Sequence, residues 1–158
     1  MDLFEGGIRE PFIVRWPGKI KPNSKSDFIS AQFDMMATMA EIANAETNNT
    51  DGISLLPTLL GKPDKQKQRE YIYFEYPENG GQVAIRMGDW KGVRVNVRKT
   101  NDSPWMLFDL KNDMQETKDL AAQYPDIIAR FKAIQVAEHE NSHLLEWEFL
   151  NRKIPAKK

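Results

Sequence analysis

The chain has 158 residues, and its 22 Lys+Arg against 23 Asp+Glu leave a formal net charge of −1, which supplies no global pull toward nucleic acid or an anionic membrane. With 41% hydrophobic and 28% charged residues the composition suits a globular fold with one core, and no apolar run approaches the ~20 residues that span a bilayer. The absence of cysteine excludes disulfides, thiolate nucleophiles and Cys-based zinc sites, and the only two histidines, His139 and His143, lack a third ligand and read as a solvated helix end.

Residues 11–16, PFIVRW, are apolar and β-branched and predict a buried strand. Pro17-Gly18 then supplies a turn. After a polar loop the period changes. Ile29, Phe33, Met36, Ala40 and Ala43, joined by Met35, Met39 and Ile42, recur at helical spacing, with Asp34 placed as the N-cap. The methionine-rich stripe reads as core. The stretch GISLLPTLLGK, interrupted by Pro57, predicts one or two helical turns closed by Gly61. Residues 62–70, KPDKQKQRE, are almost free of apolar side chains and predict a linker.

Beyond that stretch the pattern is of strands. YIYFEY (71–76), QVAIRM (82–87), KGVRVNV (91–97) and PWMLFDL (104–110) are short, β-prone and joined by tight links, the pattern of an antiparallel meander. Val93, Val95 and Val97 are expected on one face, against a helix that starts at Pro125, runs to about residue 140 and presents Phe131 and Ile134. The tail is apolar in its first half and basic at its end. The expected fold class is α+β: a four-stranded antiparallel sheet with a C-terminal helix, preceded by one strand and one helix left over from a large α/β domain. The expected division is 1–61, a remnant of that domain; 62–70, a linker; and 71–158, the sheet subdomain with its helix and tail.

Five segments carry a resemblance. FEGGIREPFIVRWPGKI (4–20) resembles the sulfatase pattern Tyr/Phe-Glu-Gly-Gly-x-Arg-x-Pro, an apolar strand, then Trp-Pro-Gly. FDMMATMAEIAN, DGISLLPTLLGK, GGQVAIRMGDWKGVRV and LFDLKNDMQETKDLA resemble further sulfatase motifs in the same order, over about 120 residues. Ala37, Asn44, Met114 and Asp119 depart from the family's proline, glycine, proline and asparagine, and Pro77 falls where some relatives carry histidine. The resemblance covers the C-terminal third of such an enzyme. It implies a parent sulfuric ester hydrolase acting on sulfated carbohydrate or aryl sulfate, exported, using calcium and a formylglycine made from Cys/Ser-x-Pro/Ala-x-Arg. That motif is not in this sequence, so the chain alone is expected to be inactive, with no catalytic residue, cofactor or metal of its own. Its implied partner is the N-terminal catalytic part of the same polypeptide; neither nucleic acid nor membrane is expected, while self-association through residues 10–16 is. The competing reading is a stand-alone carbohydrate-binding or interaction module.

Two sets of site residues are expected. Glu5, Gly6, Gly7 and Arg9 would support an active site from nearby: glycines let backbone approach a ligand or take positive φ, and a planar guanidinium suits sulfate oxygens. Glu75, Tyr76, Glu78, Asn79 and Arg86 would line a substrate pocket, with Arg86 the polar group the sheet lends to it. Trp90, Trp105, Tyr71, Tyr73 and Tyr76 read as core aromatics before sugar-stacking ones.

Overall fold

The structure is a computed structural model that describes residues 2–48, 50–100, 102–144 and 146–150. Four helices and four strands follow in the order α1 (Glu5–Ile8), α2 (Asp34–Ala43), α3 (Leu56–Leu59), β1 (Ile72–Tyr76), β2 (Gln82–Met87), β3 (Trp90–Arg94), β4 (Met106–Asp109) and α4 (Pro125–Glu138), with a single 3-10 turn at Pro63–Lys65. Two compact units result. One joins residues 2–10 to the described residues from 70 onward, and the other is Pro11–Arg69.

In the first unit the strands form an antiparallel meander, β1-β2-β3-β4. The β2–β3 hairpin closes Met87 on Trp90 through Gly88, whose φ of +58° suits so tight a turn. The two faces of the sheet have different covers. On one, Val83, Ile85 and Leu107 pack with Trp105, Val97, Phe149 and, from α4, Phe131 and Ile134. Pro125 opens α4 with its φ already set for a helix. Phe131 is fully buried over Gly92, where a Cβ would stand 2.3 Å from the ring. On the other face, Ala84, Val93 and Phe108 pack with Leu110 and with Leu3, Phe4 and Ile8 of the N-terminal segment.

The expected valine face is corrected. Val93 and Val95 pack on the N-terminal side and only Val97 joins the cluster of α4. The strand ends at Arg94, and Asn96 adopts φ +57°, a left-handed conformation that asparagine tolerates. That residue breaks the alternation and turns Val97 toward the opposite side.

The second unit is organised by a buried acid. Asp34 is fully buried and opens α2 from its first helical position, so it is not the N-cap. Its carboxylate accepts the backbone N–H of Ala31 (2.8 Å) and Ile53 (2.9 Å) and pairs with Arg69, one contact of which is 3.0 Å. Gln66 is buried as well: its amide donates to the Ser54 carbonyl (2.9 Å) and accepts from the Thr58 hydroxyl (2.6 Å). The polar stretch expected as a linker is therefore tied into this unit through Gln66 and Arg69, which composition alone does not reveal.

Residues 11–16 form no strand. They pair with no strand, and Ile13 is 90% exposed. The methionine stripe is likewise not core here: Met36 and Met39 are exposed, along with Phe12 and Phe33. The residue pattern is apolar in both places, but no segment of the unit lies over them. No described helix is long and apolar enough to cross a membrane. Residues 151–158, the basic end of the tail, lie outside the described residues.

Candidate functional site

The site begins at the N-terminal turn. Gly7 lies where a Cβ would be 2.3 Å from the Asp2 carbonyl oxygen, so only glycine closes this turn. Gly6 has open space at the same position, and neither glycine has positive φ. The close approach made possible by the pair is thus to the chain itself at Gly7. The turn is held to the sheet by backbone donors. Leu3 N–H bonds the Gln82 side chain (2.9 Å), and Glu5 N–H bonds the Glu116 carboxylate (2.6 Å).

The Glu5 side chain reaches the sheet. Its carboxylate pairs with Lys91 (2.8 Å), and Arg86 stands 3.7 Å from its other oxygen. Lys91, whose side chain is entirely buried, also meets Glu116 at 3.1 Å. Register explains the assembly: Arg86 and Lys91 are direct cross-strand partners on the face that receives the turn. Glu5, Gly6, Gly7 and Arg86 are therefore brought together. Arg86 is committed to Glu5 and to the Gly88 carbonyl (2.7 Å). Arg9 is exposed, and the Glu5 carboxylate pairs with Lys91 and Arg86.

Of the second expected set, Tyr76 donates to Glu78 (2.8 Å), which pushes the phenol above its ordinary pKa. Asn79 and the two glycines after it take positive φ in the β1–β2 turn. Glu75 points to the other side of the sheet, because side chains alternate along β1. There its carboxylate accepts from the Tyr73 hydroxyl and meets His139 Nδ1 at 2.7 Å. Burial first, and then this hydrogen bond to a carboxylate, hold the Tyr73 phenol well above its ordinary range. His139 Nε2 faces Glu148 at 3.3 Å. The imidazole sits between two carboxylates with 9% of its side chain exposed, which corrects the reading of a solvated helix end. His143 is exposed. The histidine bridge was not legible, since Glu75, His139 and Glu148 share no local spacing. Trp105 is buried, 5.7 Å from the Phe131 ring, and Trp90 lies 4.7 Å from Tyr124.

Among the described residues no three His, Asp or Glu side chains are grouped to hold a metal.

An antiparallel four-stranded sheet with one helix on one face and a Glu-Gly-Gly turn pinned to the other is the C-terminal subdomain of a sulfatase in outline, and comparison with known proteins agrees. The family described as N-sulphoglucosamine sulphohydrolase, C-terminal, matches residues 2–141, and the chain belongs to it. It is similar to the N-acetylgalactosamine-6-O-sulfatase of Bacteroides thetaiotaomicron, 34% identical over 79% of this chain and 26% of that protein. It is also similar to human arylsulfatase A, 29% identical over 84% of this chain and 31% of that protein. Among solved structures, one described under the metabolism of multiple glycosaminoglycans by B. thetaiotaomicron superposes with a TM-score of 0.69 at 29% identity, over 86% of this chain and 30% of that one. Another, in complex with its substrate D-glucosamine-2-N,6-O-disulfate, gives a TM-score of 0.64 at 25% identity, over 78% and 27%. The chain spans about a quarter to a third of the length of these relatives.

Proposed function

We propose that this chain is the C-terminal part of a sulfuric ester hydrolase acting on sulfated carbohydrate or aryl sulfate, that it completes the fold of a catalytic part and lines the outer substrate pocket, and that it is inactive alone. The observation that carries the reading is the family match over residues 2–141. Two further facts support it. The sequence holds no Cys/Ser-x-Pro/Ala-x-Arg motif, so it brings no nucleophile of the kind this family uses. The unit Pro11–Arg69 exposes Phe12, Ile13, Met36 and Met39, an apolar surface of the sort that a neighbouring part of the same fold covers. The names of the relatives point to sulfated amino sugars and aryl sulfates as the substrate class.

In this reading the chain's own residues bind and orient and do no chemistry. Tyr76, Glu78, Asn79 and Arg86 are the side chains proposed for the outer pocket, without Glu75, which lies on the opposite face against His139; Glu5, Gly6, Gly7 and Arg9 are proposed to support the active site from nearby. The test is sulfate release from 4-nitrophenyl sulfate and from N-acetylgalactosamine-6-sulfate by the purified chain, with binding of the sulfated sugar measured by calorimetry in parallel. No release and no binding are expected. Release by the chain alone would overturn the reading, and tight sugar binding without release would favour a stand-alone binding module.

A further inference from the structure

Lys91 is an unusual residue to find where it is. It lies mid-sheet, fully buried, directly across from Phe108 on the face where Leu3, Phe4 and Ile8 also pack. An ammonium in such a place is costly unless it is paired, and an apolar residue of similar volume is often as stabilising or more so. What the charge adds is direction. Lys91 contacts Glu5 at 2.8 Å and Glu116 at 3.1 Å, and Glu116 in turn accepts the Glu5 backbone N–H at 2.6 Å. Arg86 stands beside the second Glu5 oxygen. Two cations and two carboxylates thus make a neutral set, and Glu5 is gripped through both its side chain and its backbone. Glu116 reaches this place from a position with φ +55°, a conformation that few non-glycine residues adopt, so the loop that carries it is held in a special form.

We propose that Lys91 and Glu116 are positioning residues whose role is to fix the Glu5–Ile8 turn in one orientation on the sheet, rather than to stabilise the sheet itself. Apolar contacts of Leu3, Phe4 and Ile8 would hold the segment down in several ways, because hydrophobic burial is non-directional. The ion pairs select one of them. This inference deepens the sulfatase reading by giving the Glu-Gly-Gly turn a defined anchor, yet its test does not depend on that reading, because it uses the chain as it is and no substrate.

The test is amide hydrogen exchange with urea unfolding in parallel, on the unaltered chain and on the triple variant Glu5→Gln, Lys91→Met, Glu116→Gln, which removes the three most buried charges, keeps the shape, and leaves the more exposed Arg86 to the Gly88 carbonyl and solvent. The amides of Leu3, Glu5, Gly7 and Arg9, all bonded in this turn, are expected to exchange about tenfold faster or more in the variant, while the amides of β2 and β3 keep their protection and the urea midpoint does not fall. The single variant Lys91→Met, which strands Glu116 and leaves Glu5 with Arg86 alone, is expected to release the same amides with a lower midpoint. Unchanged protection of residues 3–9 in the triple variant would overturn the proposal. So would its loss together with that of β2 and β3, since the charges would then serve the sheet.

Discussion

Gly92 and Phe131 form a packing pair that can be perturbed from either side. A Cβ at Gly92 would stand 2.3 and 2.5 Å from two ring carbons of Phe131 and 2.9 Å from Trp105, distances that force the ring or the helix to move. Overpacking of this kind costs about 1–3 kcal/mol, so Gly92→Ala is expected to destabilise the sheet unit by the upper part of that range. Phe131→Ala removes a fully buried ring and leaves a cavity, at about 3–5 kcal/mol. The double variant is the informative one. With the ring gone, the new methyl occupies part of the space it left and meets chiefly Trp105. The double variant is therefore expected to be about as stable as Phe131→Ala alone, a coupling of about 1–3 kcal/mol. Urea unfolding followed by tryptophan fluorescence reads this, in a Trp16→Phe background so that the signal comes from the sheet unit. Costs that simply add would show that α4 does not lie over Gly92, and the sheet–helix packing described above would be wrong.

The two glycines of the N-terminal turn should respond differently: Gly7→Ala, with its Cβ against the Asp2 carbonyl, should release residues 2–9 in amide exchange, while Gly6→Ala, with open space, should leave them protected. Tyr73 has its phenol pKa raised by burial and by Glu75, so its folded value exceeds its unfolded one. The stability it contributes is present below pH about 10 and is lost as pH rises beyond that, an alkaline loss that Tyr73→Phe should remove in pH-dependent unfolding. Ile13, the most exposed large apolar residue among those described, should drive association of the isolated chain, and Ile13→Asp should lower it in light scattering without changing the urea midpoint.

The meander was legible because each strand alternates or runs apolar between polar links, and α4 because Pro125 and a 3.6-residue apolar period agree. The valine face was misread for a reason of one residue. Asn96 in a left-handed conformation reverses the side to which Val97 points, and period-two counting assumes no such reversal. Residues 62–70 look like a linker because their work is polar, a glutamine amide and an Arg–Asp pair spanning 35 positions, and composition counts apolar residues. At the candidate site, Glu5 and Arg86 were legible as separate candidates, yet their meeting depends on strand register. Lys91 and Glu116 were missed because a buried ion pair has no sequence period. PFIVRW and the methionine stripe are apolar enough to be buried, yet Phe12, Ile13, Met36 and Met39 are exposed, because apolar content alone does not say whether a segment lies over a residue.

The most direct measurement is sulfate release by the chain joined to a sulfatase N-terminal part that carries the Cys/Ser-x-Pro/Ala-x-Arg motif, compared with the chain alone. Release of sulfate by the joined polypeptide and none by the chain, with amides of residues 12–16 and 36–42 gaining protection on joining, is the expected result. A joined polypeptide that releases no sulfate from either sulfated amino sugars or aryl sulfates, or that leaves those amides as exposed as before, would contradict it.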